Sequence, residues 1–133
     1  MKQLSWPAAA LLLSLGSTLA QQGTLHQELG EADAARTDLL RASGLLARSQ
    51  ALDPTREART QLGVSYKRLA EVLGGSANNA NLGRKQEALG YLQQSLEIRE
   101  ALAAEFPDDL ELRQDVAQTC HSIGEWYYNA ADL

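Results

Sequence analysis

The sequence predicts an all-α fold, and three observations carry that expectation. Aromatic residues make up only 5% of the chain, while alanine and leucine are abundant, a bias that favours helix over sheet. Apolar positions recur at helical steps: Leu62, Tyr66, Leu69 and Leu73 in one segment, Val116, Cys120, Ile123 and Tyr127 in another. The chain also repeats itself over about fifty positions, the signature of stacked helical units that cannot bury their apolar faces alone.

The repeat pairs Leu29/Leu82, Gly30/Gly83, Ala35/Ala88, Leu39/Leu92, Ala51/Ala104 and Pro54/Pro107, with Ala42/Ser95 and Leu45/Ile98 as conservative matches. After each proline the offset slips by one residue. It then pairs Arg59/Arg113, Leu62/Val116, Gly63/Ala117, Ser65/Thr119, Leu69/Ile123, Ala70/Gly124 and Glu71/Glu125. The units run about 30–82 and 83–133 within a chain of 133 residues, enough for one domain of ordinary size.

The elements follow in order. Residues 1–20 have the three-part shape of an export signal: Lys2, an apolar run from Pro7 to Leu15, and small residues ending at Ala20. The apolar run is short of the roughly 20 residues that span a bilayer. The expectation is therefore export, periplasmic or secreted, with cleavage after Ala20 and a helical repeat domain over 21–133. The alternative is an uncleaved anchor or a cytoplasmic chain with an N-terminal helix. The first repeat helix is expected near 31–52. Asp53 then stands as cap for a helix opening at Pro54 and running over 55–73. Gly74 to Asn81, rich in glycine and asparagine, reads as a connector. A wide apolar stripe places the next helix near 84–105, with the stem of Arg99 packed and its charge reaching out. Asp108 and Glu111 have capping-box spacing before a last helix near 109–130.

Within this frame Leu62-Gly63-Val64-Ser65-Tyr66 has the L-G-x-x-Y form of the first helix of a tetratricopeptide repeat, and Ile123-Gly124-Glu125-Trp126-Tyr127 has it again. Ala88, Leu92 and Ser95 resemble the small–large–small series of that repeat's second helix. The period is longer than the usual one, so the chain resembles the extended variety. Val72-Leu73-Gly74-Gly75, Ala80-Asn81-Leu82-Gly83 and Ser95-Leu96-Glu97-Ile98-Arg99-Glu100-Ala101-Leu102 are similar to the tetratricopeptide region behind the kinase domain of some bacterial serine/threonine protein kinases. The resemblance covers about residues 26–130. No glycine-rich phosphate loop, H-R-D or D-F-G is present, so it implies a scaffold for protein–protein interaction and not the kinase activity.

Composition and motifs narrow the chemistry. A net charge of −5 disfavours nucleic-acid binding, which needs a basic stripe to neutralise phosphates. One cysteine leaves no disulfide framework and no paired-thiolate zinc site. Cys120 and His121 are adjacent and diverge by about 100° on a helix; Cys120 reads as a core residue and His121 as solvated. His26 has no second histidine or thiolate at ligand spacing. Glu97 and Glu100 read as surface ion-pair partners of Arg99, and Arg59 and Arg113 as one structural contact repeated with the unit. No catalytic, cofactor or metal residues are assigned.

The functional expectation is a surface. In tetratricopeptide arrays the first helix of each pair lines a groove, and the resemblance places Val64, Lys67 and Glu71, with Gln118, His121 and Glu125 as equivalents, on that face. The expected partner is a protein or an extended peptide; a membrane enters only if residues 1–20 are retained. Trp126 and Tyr128 near the C-terminal end read either as a folded-back cap or as an interface for a partner or a second copy. The reading is a non-enzymatic interaction module. The alternatives are a structural homo-oligomer through the aromatic helix or, less favoured, a small-molecule-binding or enzymatic helical domain.

Overall fold

Four helices fall close to where the periodicity places them, and a fifth precedes them. The computed structural model describes residues 2–75 and 82–131. These form α1 (Lys2–Glu28), α2 (Ala32–Leu52), α3 (Arg56–Ala70), α4 (Lys85–Glu105) and α5 (Leu110–Ala131). The final turn of α3 widens over Glu71–Gly75 into π-type hydrogen bonding. The expected connector lies outside the described residues from 76 to 81. At its far side the chain returns against α3: Leu82 N–H donates to the Val72 carbonyl at 2.8 Å, and Arg84 N–H to that of Leu73. The backbone of Arg84 and Lys85 passes so close to Gly74 that a β-carbon there would lie 3.1 Å from a backbone nitrogen.

The repeat is visible in the backbone. Gly30 and Gly83, aligned in the sequence, have φ of 81° and 69° and turn the chain into α2 and α4. Glycine adopts this left-handed conformation without the steric cost of a β-carbon. The helix starts differ from expectation in each unit. Thr55, not Asp53, caps α3: it is extended and its side chain accepts from Ala58 N–H at 3.1 Å. This puts Pro54 outside the helix. Asp109, not Asp108, caps α5, accepting from the N–H groups of Glu111 and Leu112 at 3.0 and 3.3 Å.

Successive helices pack on one another, and hydrogen bonds show how the layers arise. One face of α2 meets both α1 and α3: Ser49 Oγ donates to the Ala9 carbonyl at 2.7 Å, and Ser43 shares a 2.8 Å bond with Ser65. One face of α4 likewise meets both α3 and α5, with Ser95 Oγ donating to the Gly63 carbonyl and Arg99 to Thr119. Thus α1, α3 and α5 form one layer and α2 and α4 the other. The core between them contains Leu39, Ala42, Leu69, Ala70, Leu73 and Leu92. Each serine bond satisfies a polar group that would otherwise be buried unpaired.

Helix α1 runs without interruption through Ala20, the position expected as a cut site. It approaches α2 closely because its inner face is small. Built β-carbons at Gly16 and Gly23 would lie 2.8 Å from Leu46 Cγ and 2.7 Å from Leu39 Cγ. Ala9, Gly16 and Gly23 recur every seven residues, as do Ala35, Ala42 and Ser49 opposite, an arrangement that keeps two antiparallel helices in register. His26 closes this hairpin, its Nδ1–H donating to Glu31 at 2.5 Å while Nε2 lies 3.4 Å from Asp38.

Two expectations about the core are corrected in the second unit. Cys120 is exposed, and so is Tyr127. The buried line of α5 is instead Leu112, Thr119 and Trp126, spaced by seven. Helix α3 packs on both α2 and α4, but α5 packs chiefly on α4, so its contact face is narrower and turned relative to the apolar stripe.

Candidate interaction surface

The outer surface of the α1–α3–α5 layer carries the residues singled out from sequence. Val64, Lys67 and Glu71 lie on α3 and its last turn, all half-buried; Gln118, His121 and Glu125 lie on α5, all exposed. The two trios occupy repeat-equivalent positions. They differ in burial because α3 is flanked by helices on both sides. His121 Nε2 is 3.4 Å from Glu125 across one helical turn, a solvent-exposed pair worth little to stability.

Between the trios lies a residue whose role sequence reasoning missed. Arg99 of α4 is only 5% exposed, and its guanidinium does not reach solvent as the snorkelling expectation required. One terminal nitrogen, Nη1, donates to Thr119 Oγ1 at 2.8 Å and to the Asp115 carbonyl at 3.4 Å. The Thr119 hydroxyl donates its own proton to the same carbonyl at 2.7 Å. Arg99 therefore turns away from Glu97 and Glu100, which are exposed and form no ion pair with it. The repeat alignment contained a signal: Arg99 occupies the place of the buried Leu46, so a cation at a core position needed partners from the next helix.

Electrostatics tie this floor to the α3 trio. Burial pushes the Lys67 ammonium below the usual lysine range against the pull of Glu71; Arg99 and Arg68 add to the lowering and Asp115 opposes it. Arg99 is lowered too, by burial first, with Asp115 counteracting. The surface between α3 and α5 is thus a mixed-charge strip in which a cation is already partly desolvated. A carboxylate arriving there loses less hydration from its partner than at a fully solvated lysine.

Arg99 itself is expected to be replaceable. Arg99→Ala leaves a cavity and should cost about 2–3 kcal/mol. Arg99→Met fills the space without a buried charge and should stay within about 1 kcal/mol of the parent. Urea unfolding of both variants checks this; equal losses would mean the charge itself is required.

Other expected contacts resolve in different ways. Arg59 bonds Glu105 at 2.6 Å, whereas Arg113 is exposed and has no ion pair among the described residues, so the contact does not repeat with the unit. Arg56 lies 4.3 Å from the centre of the Phe106 ring and pairs with Asp109, fastening the start of α3 to the α4–α5 turn. Tyr66 stacks on Tyr91 with centroids 5.6 Å apart. Trp126 folds back: it is 8% exposed, and its indole N–H donates to the Lys85 carbonyl at 2.8 Å. Tyr128, at 71% exposure, is the member of that pair presented to solvent.

Among the described residues no group of three or more His, Cys, Asp or Glu side chains is arranged to hold a metal ion, and no helix is long and apolar enough to cross a membrane. Comparison with protein-family models, curated proteins and solved structures finds no match to this chain.

Proposed function

We propose that this chain is a non-enzymatic protein–protein interaction module that receives an extended peptide on the outer surface of its α1–α3–α5 layer. The observation that carries the reading is the strip between α3 and α5. Lys67 is half-buried there beside Glu71, and the equivalent His121 and Glu125 lie exposed beside each other on the neighbouring helix. A lysine, an imidazole, an amide and two carboxylates along two rows suit a peptide whose backbone and charged side chains are both read. The tetratricopeptide resemblance of Leu62 to Tyr66 and Ile123 to Tyr127 supports the same use of the surface.

Peptides selected by display on the full chain test this. Lys67→Ala and His121→Ala should each weaken the selected peptides about tenfold, as expected for loss of one polar contact at the strip, while far-UV circular dichroism stays unchanged. Peptides that bind both variants as tightly as the parent would remove the strip as the binding surface.

A second reading rests on α5. Ala117 and Gly124 are the equivalents of Gly63 and Ala70, which are buried in the first unit, yet both are exposed here beside Tyr128. That face could take a helix from a second copy. Loss of self-association on Ala117→Arg would favour it over the peptide strip.

A further inference from the structure

Helix α1 presents two opposite faces, and only the inner one is used by the fold. The outer face carries Leu11, Leu15, Thr18, Gln22 and Leu25 at alternating steps of four and three, a continuous stripe on a helix, and Leu29 extends it in the turn just past the helix end, where its N–H still donates to the Leu25 carbonyl at 3.0 Å. The four leucines are 61%, 49%, 55% and 63% exposed. No lysine, arginine, aspartate or glutamate occurs between Lys2 and Glu28, so no full charge along the stripe repels an apolar partner.

We propose that this stripe is the interface of a homodimer in which α1 packs antiparallel on α1 of a second copy about a two-fold axis. The order of residues is what selects a second copy. Read in opposite directions, the stripe matches itself: Leu11 faces Leu29 of the other copy, Leu15 faces Leu25, and Thr18 faces Gln22. A two-fold interface requires such self-complementarity. The central layer is polar on both sides and can be satisfied. Thr18 Oγ1 already donates to the Ser14 carbonyl at 2.9 Å, which leaves its lone pairs to accept from the amide N–H of Gln22 opposite. A single buried polar layer of this kind penalises slipped registers.

Charge selects the antiparallel arrangement over the parallel one. Parallel pairing would bring Glu28 against Glu28 and align the helix dipoles. Antiparallel pairing sets Glu28 near the uncharged turn around Leu12 and opposes the dipoles. From Leu11 to Leu29 the stripe is about 27 Å long and about 10 Å wide. That footprint is about a third of the roughly 800 Å² per partner of a standard interface, so the dimer should be weak and reversible.

The test uses the full chain, its intact mass verified, in sedimentation equilibrium over a range of concentrations. The parent should pass from monomer to dimer. Leu15→Glu should weaken the dimer about 100-fold, since it sets a carboxylate against Leu25 in a desolvated seam. The double variant Leu15→Glu/Leu25→Lys should recover to within about tenfold of the parent, because each introduced carboxylate then meets the ammonium introduced on the other copy. In a parallel pair the same double variant sets like charges together and stays monomeric, which would overturn the arrangement. Both positions are exposed in the protomer, so thermal melts of the variants should match the parent and separate lost pairing from lost folding. A parent that remains monomeric at high concentration overturns the proposal, as does one that is monomeric and floats with anionic phospholipid vesicles. A dimer indifferent to Leu15→Glu overturns it as well.

Discussion

Leu69→Asp is expected to abolish cooperative folding, while Ile123→Asp should leave a folded but weakened chain. The two positions are equivalent in the repeat, and from sequence alone both substitutions carry the same expectation. In the structure they are not equivalent. Leu69 is completely buried in the core with Leu39, Leu73 and Leu92, whereas Ile123 is partly buried at the edge of that cluster. Full burial of a leucine contributes about 1.5–3 kcal/mol. Placing an uncompensated carboxylate in the same space adds several kcal/mol more, a sum comparable with the whole stability of a small domain, about 5–15 kcal/mol. At Ile123 the carboxylate can turn toward water, and the cost falls to about 1–2 kcal/mol. Circular dichroism melts decide the matter. Equal loss of helicity in both variants would mean that α5 is as deeply embedded as α3.

A chain beginning at Gln21 should lose most of its cooperative stability. Removing residues 1–20 takes away Gly16 from Leu46 and the Ala9 carbonyl from Ser49. It leaves Leu46 open to water and the buried Ser49 hydroxyl in need of a new partner. The exposed apolar area alone should cost about 3–5 kcal/mol, counting Leu46 and its small neighbours on α2. Thermal unfolding of the truncated and full chains side by side measures it. An unchanged, sharp transition would show that the first half of α1 lies outside the cooperative unit and would favour export with cleavage after Ala20. A broad or absent transition would mean that α2 to α5 depend on the segment as a structural helix.

The two proposed surfaces also bear on each other. The α1 stripe and the α3–α5 strip belong to the same layer, so pairing through α1 would place two peptide strips in one assembly. Each strip could then be occupied together with its counterpart, and a partner carrying two copies of the peptide would gain from the high local concentration.

The helices were legible because their signals are local. Steps of three and four in Leu62, Tyr66, Leu69 and Leu73, and the paired glycines before α2 and α4, depend on residues a few positions apart, and periodicity along the chain reports them directly. Cap positions slipped by a residue or two because Asp53 and Thr55, or Asp108 and Asp109, are chemically interchangeable until the backbone chooses between them. The α1 segment carries two meanings at once. An apolar helix with small residues reads the same whether it is an export signal or the partner of Leu39 and Leu46, and only the position of α2 distinguishes them.

The sequence by itself determined the all-α class, the repeat and its slip, and the spans of α2 to α5. Tertiary structure alone decided that Arg99 is buried against Thr119, that Cys120 is exposed while Trp126 folds back onto Lys85, and that equivalent faces of α3 and α5 have different burial. The reason is physical: helix formation and turns follow from neighbours along the chain, whereas burial follows from how many other helices surround each one. Two units with matching sequences therefore acquire different cores once one of them is flanked on both sides.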